Sequence, residues 1–190
     1  LENCFIIFVI IIAMHIPDLT ALLKTHLHVL PEVQYPAKKI LLSEGEISTT
    51  LFFVKNGALR EFFIHDGREL TLEFITENQA VASFDSFLNE SKSEFVIETL
   101  EPVTVYELKI GTFRKLLEDP DFQQQFNILF YRRFGELSKR LVSFIKDSPQ
   151  KRYENLLNSR PELLLRFPQH YIASYLGITS VSLSRIRNRR

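Results

Sequence analysis

Several things are scarce in this sequence, and each shortage removes a class of protein. There is one cysteine, Cys4. No disulfide can close within the chain, and one copy cannot build an all-cysteine zinc site or a four-cysteine iron–sulfur centre. Glycine occurs six times, too sparsely for a phosphate-cradling loop. The five histidines, at 15, 26, 28, 65 and 170, do not converge. Only His65 lies in the strand-like region, and His26 and His28, two apart on a leucine-rich helix, face different ways. No metal, catalytic triad or cofactor is expected, and the chain does not read as an enzyme. Excess charge of one sign is also missing, with 23 basic and 23 acidic residues. The longest apolar run, Phe5 to Met14, is ten residues, about half of the roughly 20 a membrane span needs. The only charge before it is Glu2, not the basic stretch of a secretory signal. A cytoplasmic protein without a membrane partner is the expectation. Met14 is the only methionine, so residues 1–13 are expected to precede the natural start, the alternative being a buried N-terminal strand or helix, and 1–17 to form an extension of uncertain status.

What is present is globular. The 190 residues are 45% apolar and 24% charged, suiting one medium domain with a smaller one attached. Residues 18–30 carry leucines at helical spacing behind a candidate N-cap, Asp18. From 33 to 109 the texture becomes short runs rich in β-branched and aromatic residues: KILLSE, TLFFVKNG, ALREFFIHDG, ELTLEFI, EFVIETL and VTVYELK. Asn56-Gly57 and Asp66-Gly67 punctuate them, and each pair predicts a tight hairpin. Many short strands at near-regular spacing mean a β-barrel, roll or sandwich. Residues 82–89 (ASFDSFLN) suit one or two helical turns.

A short helix is expected over Gly111–Glu118, then a long one from Asp121 to about Lys146. In the second, Phe122, Phe126, Leu129, Phe130, Leu137, Leu141, Phe144 and Ile145 recur at three- and four-residue steps. A helix on the order of 40 Å long exceeds what a small roll needs, so this seam is expected to join two copies of the chain. Asp147-Ser148-Pro149 ends it. Beyond it the charge becomes lopsided: residues 151–190 hold eight basic and two acidic residues, leaving 15 basic and 21 acidic before them. An acidic body with a basic tail suggests a polyanionic partner for the tail.

The most specific pattern is Gln169 to Asn188, QHYIASYLGITSVSLSRIRN. Pro168 suits a helix start. Ile172, Ala173 and Leu176 fall on the inner face of a first helix, Gly177 takes the turn, Ile178 fills the angle, and Leu183 and Ile186 face inward from a second helix that Thr179 or Ser180 caps. These spacings are those of a helix-turn-helix. The outward face carries Thr179, Ser180, Val181, Ser184, Arg185, Asn188 and Arg189 and no acid, which suits bases and phosphates. With Gln169, these form the predicted DNA-binding set.

A β-roll, a long helix and a helix-turn-helix in this order resemble the Crp/Fnr superfamily of bacterial regulators. KNGALREFFIHDGRELTLEF is similar to that family's strand–glycine–strand run, and YIASYLGITSVSLSRIR to its DNA-reading unit, in a form like that of Bacteroidetes members. The resemblance covers about residues 20–190. It implies an α+β architecture: a jelly-roll sensor over 18–119, a dimerisation helix over 120–147 and a helix-turn-helix domain over 148–190. It implies a homodimer on a double-stranded operator, RNA polymerase as a further partner, and Arg185 as the base-contacting arginine. Members that bind cyclic AMP carry a Gly-Glu pair and, about ten residues on, an Arg-Ser pair. Here those stretches read Ala82-Ser83 and Ser93-Glu94, and no arginine lies between Arg68 and Arg114. Cyclic nucleotides are therefore not expected as effectors. An unknown effector would have Phe74, Val81, Ser83, Phe84, Phe87, Phe95 and Ser93 as candidate pocket residues, although apolar residues at strand spacing are more often core. Because the sequence stops at Arg190, just after the second helix, a full β-wing is not expected. The competing reading is a cupin-like roll that binds a small molecule or metal and acts without DNA.

Overall fold

The computed structural model describes residues 15–16 and 29–188. The extension over 1–17, apart from the two-residue strand, and almost all of the helix expected over 18–30 lie outside the described residues, as does Arg189. The roll is built from β1 (His15–Ile16), β2 (Glu32–Tyr35), β3 (Ile40–Leu42), β4 (Thr50–Asn56), β5 (Leu59–His65), β6 (Arg68–Ile75), β7 (Ala80–Val81), β8 (Val96–Thr99) and β9 (Val103–Lys109). They form two antiparallel sheets, ordered β1-β7-β4-β9-β2 and β3-β8-β5-β6. Helix α1 (Phe84–Asn89) follows β7, and α2 (Ile110–Leu116) continues directly from β9. The sandwich core holds Leu42, Phe52, Val54, Leu59, Ile75, Val81, Ile97, Val103 and Val105. Strands β1, β2 and β7 escape sequence reading because two to four residues carry too little periodicity.

The two turn pairs behave differently. Asp66-Gly67 closes the β5–β6 hairpin with His65 opposite Arg68. Both turn residues have positive φ, 50° and 71°, the type I′ geometry that this dipeptide favours. Asn56-Gly57, by contrast, makes no hairpin. Strand β4 lies in one sheet and β5 in the other, so the pair is a corner where the chain changes sheets. Glycine is required there for another reason: at φ 92° a Cβ on Gly57 would stand 2.5 Å from the Pro102 carbonyl oxygen.

The long helix α3 runs Pro120–Lys146, with Asp119 accepting from the Asp121 amide at its start. It has two apolar stripes, and the seam expected from the sequence is mostly the inner one. Phe122, Phe126 and Leu137 are buried against the roll beside Phe84, Phe87 and Phe113, with Leu129 and Phe130 packed on the same cluster. Phe144 packs on Phe63, Leu72 and Phe95. The outer stripe runs Ile128, Tyr131, Gly135, Ser138, Val142 and Ile145, at alternating steps of three and four. Ile128, Tyr131, Val142 and Ile145 are exposed, as is Phe134 beside them. Both stripes satisfy a helical period, so the periodicity could not say which faced the roll.

After α3 come α4 (Pro149–Ser159), α5 (Pro161–Arg166), α6 (Gln169–Tyr175) and α7 (Ser180–Asn188). The first two were not read from the sequence. Each starts on a proline at its first helical position, a local signal that was available. The four helices share one core: Tyr153, Leu156, Leu163, Phe167, Ile172, Ala173, Leu176 and Leu183. Among the described residues no helix is long and apolar enough to cross a membrane.

Candidate nucleic-acid interface

The turn between α6 and α7 is built by backbone hydrogen bonds. Ile178 N–H donates to the Ala173 carbonyl at 3.0 Å and Gly177 N–H to that of Ser174 at 2.9 Å, the paired bonds of a Schellman motif. Gly177 sits at φ 64°, where a Cβ would come within 2.8 Å of Phe144 Cε1. The residue both turns the chain and lets α3 approach the turn. Thr179 is the cap of α7: its Oγ1 accepts from Ser182 N–H at 3.1 Å, so this hydroxyl is engaged in the helix end. Leu183 is buried and Ile186 half-buried on the inner side.

The outer side agrees with the pattern read from the sequence. Gln169, Thr179, Ser180, Val181, Ser184, Arg185 and Asn188 are all exposed, and α7 contains no acidic residue. A helix with arginine, small hydroxyls and an amide on one free face can donate to base edges and phosphates.

The basic character of the tail is partly spent inside the molecule. Arg166 makes a two-pronged contact with Glu77, both N···O distances 2.7 Å, and also reaches Glu101. Through these bonds Arg166 holds the Glu77 carboxyl down to about 2. Arg160 contacts Glu73 at 2.9 Å. Arg152 donates to the carbonyls of Leu176 and Asp147. Acidic body and basic tail therefore match each other in part, and the charge asymmetry overstates what is left for a polyanion. Lys151, Arg185 and Arg187 remain exposed.

Helix α6 also docks on the roll. Thr71 N–H donates to Ser174 Oγ at 3.0 Å. The Tyr171 ring covers the buried Arg60 guanidinium at 3.9 Å, and Lys38 reaches the Tyr171 hydroxyl at 2.7 Å. Arg60 is further held by Glu69 and Glu98, at 2.6 and 3.2 Å.

The structure does not gather the candidate effector-pocket residues around one cavity. Phe74 points out of the roll and stacks on Phe167, centroids 4.6 Å apart, in the core of the C-terminal helices. Val81 belongs to the sandwich core. Phe84 and Phe87 pack with α3, and Phe95 lies with Phe63 and Leu72. Ser83 and Ser93 are buried, and Ser93 Oγ donates to the Phe95 carbonyl at 2.7 Å. Glu94 is exposed, so its charge does not point into the roll. Strand alternation sends neighbouring residues to opposite faces, and both faces of this sheet are covered.

A buried polar group missed by sequence reading lies across β5 and β6. Glu61 and Glu73 are directly paired in register. Glu73 is met by Arg133 at 3.1 Å and Arg140 at 3.5 Å from α3, and by Arg160. Glu61 is completely buried and neither carboxyl oxygen has a hydrogen-bond partner among the described residues. Burial first, then the neighbouring Glu73, push its carboxyl up to about 8.

Comparison with known proteins agrees with this architecture. Residues 32–119, which span β2 to α2, match the model of the cyclic nucleotide-binding domain family. The chain is 26% identical over 120 residues to the cAMP-activated global transcriptional regulator CRP of Haemophilus influenzae. That alignment covers 62% of this chain and 51% of that protein, so the chain spans about half the length of this curated relative. Among solved structures, FixK2 from Bradyrhizobium japonicum has a TM-score of 0.71 at 18% identity, covering 84% of this chain and 83% of its own. A CooA variant from Carboxydothermus hydrogenoformans has a TM-score of 0.69 at 20% identity, covering 86% and 77%. With its roll, long helix and terminal helix pair, the chain is similar in fold to these two structures. The curated relative is named as a transcriptional regulator.

Proposed function

We propose that this protein is a dimeric, sequence-specific DNA-binding transcription regulator that cyclic AMP and cyclic GMP do not control. The observation that carries the reading is the free face of α7, where Ser180, Val181, Ser184, Arg185 and Asn188 stand exposed and no acid interrupts them. In this reading α7 enters the major groove, Arg185 takes guanine O6 and N7, and Ser180 and Ser184 take neighbouring bases or phosphates. Gln169, at the start of α6, takes backbone phosphate. The outer stripe of α3 joins two copies, which sets the two reading helices about one DNA turn apart.

The absence of cyclic-nucleotide control rests on charge. Between Arg68 and Arg114 no arginine is available for a cyclic phosphate. Ser93 Oγ is occupied by a backbone carbonyl.

Selection from a randomised duplex pool tests the reading. The wild type should enrich a two-fold symmetric site. Arg185→Ala should relax preference at one position in each half-site, for which a bidentate contact is worth about 1–3 kcal/mol. If Arg185→Ala keeps every preference and loses only general affinity, Arg185 is not a base reader. If the wild type enriches no sequence and is not retained by duplex DNA at low salt, the function itself is wrong.

A further inference from the structure

Between the C-terminal half of α3, strand β6 and helices α4 and α6 lies a cleft of about 750 Å³, within the size range of small-molecule sites. Its walls are unequally charged. Arg133 and Arg160 are committed to Glu73, and Arg133 also pairs with Glu136. Three further cations line the cleft without a carboxylate of their own. Lys139 is exposed and makes no ion pair among the described residues. Arg140 donates to the carbonyls of Leu72 and Tyr175, and only shares Glu73, at 3.5 Å. Arg152 donates to two carbonyls. The nearby Asp147 carboxylate instead receives Ser143 Oγ at 2.6 Å and Asn155 Nδ2 at 3.3 Å. Arg133 Nε, buried at the cleft wall, has no acceptor among the described residues. A carbonyl satisfies an N–H donor but does not cancel its charge, so the cleft keeps a cationic surplus next to an unused buried donor.

We propose that this cleft is a binding site for a small, multiply charged organic anion, held by Lys139, Arg140 and Arg152. The rings of Phe144 and Tyr175 line the same space and offer apolar surface to the rest of such a molecule. Half of the wall belongs to the roll and long helix and half to the C-terminal helices. An occupant that touches both therefore favours one relative placement of the two. The site does not depend on the DNA-binding reading.

Titration calorimetry of the full chain, without DNA, tests it with two probes: tripolyphosphate for phosphate and citrate for carboxylate. At least one should bind once per chain, more weakly as salt rises. Lys139→Ala and Arg152→Gln should each weaken that binding at least fivefold, while Lys115→Ala, outside the cleft, leaves it unchanged. Should Arg152→Gln fail to fold, Lys139→Ala alone carries the test, because Lys139 is exposed and holds no structural contact. Three results overturn the proposal: neither probe binds at millimolar concentration; Lys115→Ala weakens binding as much as Lys139→Ala does; or Lys139→Ala leaves the binding unchanged.

Discussion

Replacing Ile145 by aspartate separates the two stripes of the long helix. Ile145 is 67% exposed in the single chain. Full burial of such a side chain stabilises by about 1.5–3 kcal/mol, so covering its exposed two-thirds contributes roughly 1–2 kcal/mol. A two-fold interface uses the residue twice, giving about 2–4 kcal/mol per dimer. At about 1.4 kcal/mol per tenfold, that is a dimer weakened by roughly 30- to 1,000-fold before any cost of burying the new carboxylate. Because the side chain is exposed in the monomer, the melting temperature of the separated chain should hardly change. Leu137→Ala, on the inner stripe, should do the reverse. It leaves the outer stripe intact and destabilises the fold by about 2–5 kcal/mol through a cavity beside Phe126 and Phe113. Sedimentation equilibrium with parallel thermal unfolding reads both quantities. An Ile145→Asp chain that dimerises as tightly as the wild type would refute the assignment of the outer stripe as the seam, and a monomeric wild type would refute dimerisation itself.

Gly177→Ala should destabilise the C-terminal helices by about 1–2 kcal/mol from the left-handed backbone alone, and more because the new methyl meets Phe144 at 2.8 Å. Chemical denaturation measures it, and a neutral substitution would mean that α3 and the turn are not in contact. Glu61 sets a pH dependence. Its carboxyl is raised to about 8 in the folded chain, so its contribution is intact below the ordinary carboxyl range, near 4.5, and declines as pH rises toward 8. The loss is at most about 1.4 kcal/mol per pH unit. Glu61→Gln should remove that decline, and melting curves at pH 5 and pH 9 that fall equally for both proteins would contradict it. Calorimetry with cyclic AMP and cyclic GMP should show no binding at micromolar concentration; saturable heat from either would overturn the proposed lack of cyclic-nucleotide control.

The parts legible in the sequence are those decided within a few residues of the chain. Asp66-Gly67 had to be a hairpin turn, because two consecutive positive-φ residues suit little else. Gly177 between two short apolar-spaced helices fixed the Schellman turn, and the spacing from Ile172 to Ile186 fixed which side of α7 stays in water. The tertiary structure decided what depends on distant partners. Asn56-Gly57 has the same local chemistry as Asp66-Gly67. It became a corner because β4 pairs with β9, more than 40 residues away, and β5 pairs with β6 and β8. The long helix carries two apolar stripes, and only the shape of the roll selects the one that holds Leu137. Phe74 looked like roll interior and instead anchors the C-terminal helices, because β6 is covered on both faces. Arg160 and Arg166 counted toward the basic tail in the sequence, but Glu73, Glu77 and Glu101 come within ion-pair distance of them once the domains dock. Charge along a chain says how many partners are needed. Where they are found depends on which surfaces folding brings together, and that information is non-local.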